Sequence, residues 1–404
     1  MSQAGISSRL TVVDSLRGFS LAGIVIVHML ENYVGGPVPE GAMAQVNQGF
    51  ADQAAEIFSL LFIRGKFFAL FSFLFGLSFF IQMDSASKRS VNFSGRFAWR
   101  VFLLLIIGVC HHFFYGGDIL TIYALLGFLL IPFIRVKDAW VLGLAALLLS
   151  GLPRFILFAL GQGSGLLIEG LMVPNSALAN SYFNTLQHGS LMDVFRQNGG
   201  FGHLMKMEFQ LGTGSRAYLT FAFFLLGLYM GRLGYFRDFM AYRRQTRRGL
   251  WLGLVVFILG LVVAGLAFSQ LGEEGDFNSL QAMVGLTAWD ISNLGMTAFL
   301  FSGFILLYSR KRNTTILDAL APYGRMALTN YVMQSIIGTF FFYGWGLGFI
   351  GTVRNSYVFL LALLIIMLQA LASAWWLKRC HYGPLEWAWR CLTHWKRMPL
   401  LRSY

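Results

Sequence analysis

Residues 11–33 read TVVDSLRGFSLAGIVIVHMLENY. An acid (Asp14), an arginine (Arg17) and a glycine (Gly18) open an apolar stretch of membrane length, and His28 stands near its far end. As a helix, the run from Asp14 to His28 rises about 21 Å, so the two groups belong to opposite halves of a bilayer. An imidazole is expensive in hydrocarbon, which makes His28 a functional candidate. Glu31 follows at i+3 on the same face, close enough to orient the ring.

The rest of the chain repeats this pattern. Of its 404 residues 56% are hydrophobic and only 12% charged, about half the charged share of an ordinary soluble domain. A spanning helix needs about 20 apolar residues. Runs near that length occur at Gly18–Leu30, Phe67–Met83, Val101–Gly117, Ile119–Ile134, Ala139–Pro153, Ala217–Gly231, Gly249–Gly272, Ile291–Ser309, Met326–Val353 and Asn355–Leu377. The composition predicts an all-α polytopic membrane protein with about ten transmembrane helices.

Charge sets the expected orientation. With the N-terminus inside, ten spans place 24 of the 31 Lys and Arg residues in cytoplasmic segments; the exceptions are Arg64, Lys66, Arg154, Arg196, Lys206, Arg216 and Arg354. This is the positive-inside bias, and it predicts that both termini are cytoplasmic. The run Arg243, Arg244, Arg247, Arg248 then reads as a topology lock beside anionic lipid, not as a nucleic-acid patch, despite the net charge of +13. The lipid bilayer is the one partner composition implies, and oligomeric state is not legible. No small-residue cleavage site follows the first stretch, so it reads as a retained anchor.

Three regions follow: 1–160 as an N-terminal five-helix half, 161–216 as an extracytoplasmic loop, and 217–404 as a C-terminal five-helix half with a cytoplasmic tail. The loop carries the apolar fragment LLIEGLMV and the polar stretch HLMKMEFQ, both suited to short interfacial helices. Cys110, Cys380 and Cys391 form no metal-binding or disulfide pattern, and no metal or tightly bound cofactor is expected. The glycines follow no strand and read as helix-packing positions, not as a nucleotide loop.

The polar residues inside this apolar frame each have two readings. Asp14 caps the first helix and Arg17 anchors it, or Arg17 meets a ligand at the cytoplasmic side. Arg64 and Lys66 sit at the end of the second helix where basic residues are scarce; they are interfacial anchors or an anion site. His111 and His112 end the third helix, and Asp118 opens the fourth after Gly116–Gly117. Asp118 serves as a helix N-cap, or it orients a histidine that acts as general base. Asp290 is an interfacial acid or pairs with Arg64. Asn330 and Gln334, at i and i+4, line a polar groove or act as glue between helices.

Six pieces in order then carry a resemblance: VVDSLRGFSLAGI, GKFFALFSFLFGLSF, GDILTIYALLG, LLGLYMGRLGYF, GRMALTNYVMQS and GPLEWAWR. Together they resemble the YeiB-like family, whose C-terminal part is a domain of unknown function, and they run from about Arg9 to Arg390. That family resembles a wider superfamily of transmembrane acyltransferases. The Asp-x-Leu-Arg-Gly start and the histidine at the end of the first helix match its acyltransferase-3 members at Asp14, Leu16, Arg17, Gly18 and His28. YeiB-like proteins more often carry Asn at the position of His28, whereas His111 matches the histidine usual before Gly-Asp-Ile-Leu. The resemblance implies a bacterial inner-membrane enzyme that moves an acyl group from a cytoplasmic thioester such as acyl-CoA to an envelope acceptor. It implies His28 or His111 as base, Glu31 or Asp118 as orienter, Arg64 and Lys66 as charge stabilisers, and Arg17 near the donor. The alternative is a transporter or flippase that uses the same polar residues as a translocation path.

Overall fold

The computed structural model describes residues 10–88, 93–161, 166–167, 176–271 and 278–402, and only the backbone of 311–313. Among these residues every regular element is helical, apart from one isolated bridge between Cys380 and Leu401. The order is α1 (Thr11–Leu30), α2 (Glu40–Val46), α3 (Phe50–Phe62), α4 (Phe67–Ser87), α5 (Ser94–Phe114), α6 (Leu120–Leu130), α7 (Asp138–Leu149), α8 (Leu152–Ala159), α9 (Ala177–His188) and α10 (Leu191–Gln197). It continues with α11 (His203–Leu211), α12 (Arg216–Arg232), α13 (Arg243–Phe268), α14 (Leu280–Tyr308), α15 (Lys311–Asp318), α16 (Ala321–Arg325), α17 (Ala327–Phe342), α18 (Asn355–Arg379) and α19 (Pro384–His394).

Each of the ten apolar runs contains a helix, though not all are single unbroken spans. Among the described residues six candidate spans are long and apolar enough to cross a membrane, and two bent pairs raise that number to eight. The breaks have local causes. Between α7 and α8 the chain turns by 54° at Gly151, whose φ of 80° suits glycine, with Pro153 just inside the new helix. Between α11 and α12 it turns by 57° across Gly212–Ser215. The fourth and ninth runs form the shorter α6, extended by a 3-10 turn through Arg135, and α17. Of the loop fragments, HLMKMEFQ lies on α11, and most of LLIEGLMV falls outside the described residues.

Burial separates centre from rim. The apolar window of α1 is 72% buried, whereas those of α13 and α18 are 28% buried. α13 exposes Trp251, Leu252, Val255, Ile258, Leu259, Val262 and Leu266, and α18 exposes Leu360, Leu363, Leu364, Met367, Leu368 and Leu371. Apolar faces this continuous have no place in water; facing lipid they are ordinary. The long apolar helices thus indicate a multi-pass membrane protein.

α1 is the axis because glycines let neighbours approach it. A Cβ on Gly18 would run into the Leu320 carbonyl before α16, and one on Gly324 of α16 would strike the Asp14 carbonyl of α1. Gly76 of α4 and Gly227 of α12 make the same kind of crossing with each other's helices, at Phe224 and Phe73. Helices from before and after the 161–216 connection therefore interleave: α1 lies on α16, and α4 on α12.

Candidate functional site

Two cavities enter the bundle from opposite ends. One, of about 270 Å³, opens near the start of α1 and is lined by Arg17, Ser78, Arg100, Arg325, Glu386 and Trp389. The other, of about 480 Å³, opens near the end of α1 and is lined by His28, Glu31, Arg64, Tyr115, Lys206 and Arg216. Tyr123 of α6 and Tyr331 of α17 line both, so these two rings form the partition between them. The Tyr123 hydroxyl is fixed by Ser72 Oγ at 2.6 Å. The Tyr331 hydroxyl accepts the Ile119 backbone N–H at 3.4 Å.

Beside the partition lies a buried acid–histidine pair. His111 Nδ1 is 2.7 Å from Asp118 Oδ1. The Asp118 carboxylate also accepts the backbone N–H of Leu120 and of Thr121, each at 3.0 Å, and the Thr121 hydroxyl at 2.9 Å. Asp118 thus caps α6 and holds His111 at the same time. Burial opposes its charge, yet the His111 bond and the nearby Lys206 ammonium hold the carboxyl below its ordinary range. An ionised Asp118 can only accept, so Nδ1 is the nitrogen that donates to it, and in the neutral ring the lone pair falls on Nε2. That Nε2 is buried and without a hydrogen-bond partner among the described residues.

His28 approaches the same two tyrosines from α1 and lines the larger cavity, whereas His111 and Asp118 are packed behind the partition and line neither cavity. The His28 ring centroid is 5.1 Å from that of Tyr115 and 6.0 Å from that of Tyr331. The His111 ring is 5.2 Å from Tyr331 and 6.2 Å from Tyr115. The two histidines therefore share the same two tyrosines. His28 Nδ1 is also unpartnered among the described residues.

The remaining residues singled out in the sequence divide by position. Glu31 does not hold His28: its carboxylate pairs with Arg64 at 3.1 Å, and Arg64 also meets Glu56 at 3.1 Å. Burial pushes the Glu31 carboxyl up while Arg64 pulls it down. Lys66 is turned away from both cavities; its Nζ donates to the Leu60 carbonyl at 2.6 Å and lies over the Trp289 ring. Asp290 pairs with Arg154, not with Arg64, and lies outside both cavities. Arg17 bonds Asp14 at 2.7 Å and Ser78 at 2.6 Å in the smaller cavity. Asn330 donates to Ser373 at 2.9 Å and joins α17 to α18. Gln334 is buried with neither amide atom partnered among the described residues.

Several residues escaped the sequence reading. Lys206 of α11 donates to Thr121 Oγ1 at 3.0 Å and lies 3.0 Å from His112 Nδ1. His112 Nε2 in turn lies 2.9 Å from the Asn198 carbonyl, so its proton is on Nε2. Lys206 and Arg216 are, like Arg64, among the seven cations that the charge count sets apart, but nothing along the chain ties these two to the histidines. Glu386 gave no signal, because its partners on α17 are far away in sequence. It accepts the N–H of Leu328 at 2.7 Å and of Thr329 at 3.1 Å, and so caps α17 from α19.

Residues 230–396 match a family model described as "Protein of unknown function (DUF418)". Similarity to individual proteins runs over the whole chain. The uncharacterized protein YxaH of Bacillus subtilis is 29% identical over 98% of this chain and 97% of its own length. The uncharacterized protein YeiB of Escherichia coli is 28% identical over 95% of this chain and 96% of its own length. An uncharacterized protein from the amylase 3′ region of Bacillus acidopullulyticus is 26% identical over 99% and 98%. The family model covers α13 to α19, while these alignments also take in α1, α5 and the turn before α6, which carry His28, His111 and Asp118. The model match and the full-length similarity to YxaH and YeiB together support a place for this chain in the YeiB-like DUF418 family.

Proposed function

We propose that the chain is an acyltransferase of the bacterial inner membrane, with both termini in the cytoplasm and ten helices crossing. It moves an acyl group from a cytoplasmic thioester of the acyl-CoA type to a hydroxyl or amine of an envelope acceptor. The observation that carries this reading is the meeting of the two cavities at Tyr123 and Tyr331, beside a His111–Asp118 pair with a free Nε2. A donor and an acceptor held on opposite sides of a membrane need such a junction. Volumes of about 270 and 480 Å³ suit the reacting ends of small molecules.

The chemistry follows from the geometry. His111 Nε2 takes the proton of the acceptor hydroxyl as its oxygen attacks the thioester carbonyl carbon. The C–S bond breaks, and the imidazolium returns the proton to the leaving sulfur. Asp118 keeps the ring in the right tautomer and steadies its charge. Tyr331, accepting from Ile119, keeps its own proton for the carbonyl oxygen as charge develops there. Arg17, Arg100 and Arg325 give the cytoplasmic cavity the sign that a phosphorylated donor requires.

The test is acyl transfer by the purified protein from radiolabelled acetyl-CoA to an envelope extract. Transfer that needs the protein and vanishes in His111→Ala supports the reading. A wild-type protein that moves a solute but transfers no label would instead make the joined cavities a translocation path.

A further inference from the structure

The cations of the larger cavity are not equivalent. Arg64 is taken up by Glu31 and Glu56. Lys206 is engaged by Thr121 and His112. Arg216, the first residue of α12, is different. Its Nη1 is buried with no hydrogen-bond partner among the described residues, and Asp290 and Glu31 act on its charge from beyond ion-pair distance without spending its donors. The guanidinium is nevertheless held in place: its carbon lies 4.0 Å from the Phe68 ring centroid and 5.1 Å from that of Phe209. Both rings line the same cavity. Aromatic faces fix a guanidinium in plane without consuming its N–H donors.

Arg216 as a whole is half-buried, but a buried Nη1 with unspent donors costs stability unless something satisfies it. A planar fork of donors matches an oxyanion, a carboxylate or phosphate, which it can engage through two parallel bonds. We infer that Arg216 is the receptor for an oxyanion group on the ligand of the larger cavity. That ligand is therefore a small acid, a carboxylate or a phosphate ester, which also carries the group to be acylated. That this ligand is acylated rests on the proposed acyl transfer; the oxyanion site does not.

The test is equilibrium binding to the full-length protein in detergent. Three probes share a backbone: glycerol 3-phosphate, glycerate and glycerol. Wild-type protein should bind at least one of the two acids at millimolar concentration and should not bind glycerol, and the better acid names the group. Arg216→Gln should weaken that binding by about 10- to 100-fold, and Arg216→Lys should lose less. If Arg216→Gln does not fold, the wild type answers alone. Phenylglyoxal should label Arg216, as read by mass spectrometry, and the bound acid should slow that labelling. Binding of neither acid, equal binding of glycerol, unchanged binding in Arg216→Gln, or labelling unaffected by the acid would overturn the inference. Acid binding at Arg216 in a protein that transfers no acyl group would refute the enzyme and leave the oxyanion site standing.

Discussion

His28 and His111 face the same two tyrosines, and only His111 has a carboxylate behind it. That difference assigns separate roles that can be measured. Asp118→Asn should lower transfer by about 10²–10⁴-fold, the range of a lost general base, because an amide no longer enforces the reactive tautomer. The helix cap survives through the amide oxygen, so melting temperature should move little. His28→Asn should retain most activity, since its Nδ1 has no orienting acid. If His28→Asn were inactive and Asp118→Asn active, the base would be His28. The sequence put both histidines and Asp118 on the page through their cost in an apolar setting. It left open whether Glu31 oriented His28, because an i+3 spacing shows only that two residues share a face. The structure gives Glu31 to Arg64, a partner beyond the loop, and spacing along one helix carries no trace of it.

At the scale of elements, α17 depends on α19. Glu386 supplies the acceptors for the first free N–H groups of α17, the helix that carries Tyr331 to the partition. Burial pushes its carboxyl up while the bonds from Thr329 and Leu328 pull the other way. Glu386→Ala leaves those donors without an acceptor, at about 1–3 kcal/mol for each buried group. Glu386→Gln keeps an acceptor oxygen and should cost less. Thermal unfolding of the two variants in the same detergent gives the comparison, and equal stability would show that water replaces the cap. The helices themselves were legible from apolar runs and their flanks. Their facing was not: α4 and α12 are apolar on every side, so no stripe marks which face meets a neighbour. Gly76 and Gly227, with Gly18 and Gly324, mark those contacts better than the large residues do, because close approach needs the absence of a side chain.

For the whole molecule, the distribution of Lys and Arg predicts which cavity meets which compartment. A reporter active only outside the cytoplasm should be active when fused after Gln270 and silent when fused after Arg310. The reverse pair would turn the bundle over and exchange donor and acceptor sides. The interleaving of α1 with α16 and of α4 with α12 means that no half of the chain encloses a cavity alone. The junction at Tyr123 and Tyr331 is thus a property of the full bundle, assembled from α6 and α17, and linear spacing could not have announced it. The most direct measurement is sided transfer in sealed vesicles. Protein is inserted in one orientation, radiolabelled acetyl-CoA is supplied at the face bearing the termini, and an envelope extract is enclosed within. Label should appear on an acceptor in the lumen with wild-type protein and disappear with His111→Ala. Lumenal label that persists in His111→Ala, or intact acetyl-CoA found inside, would contradict transfer at a His111-centred junction.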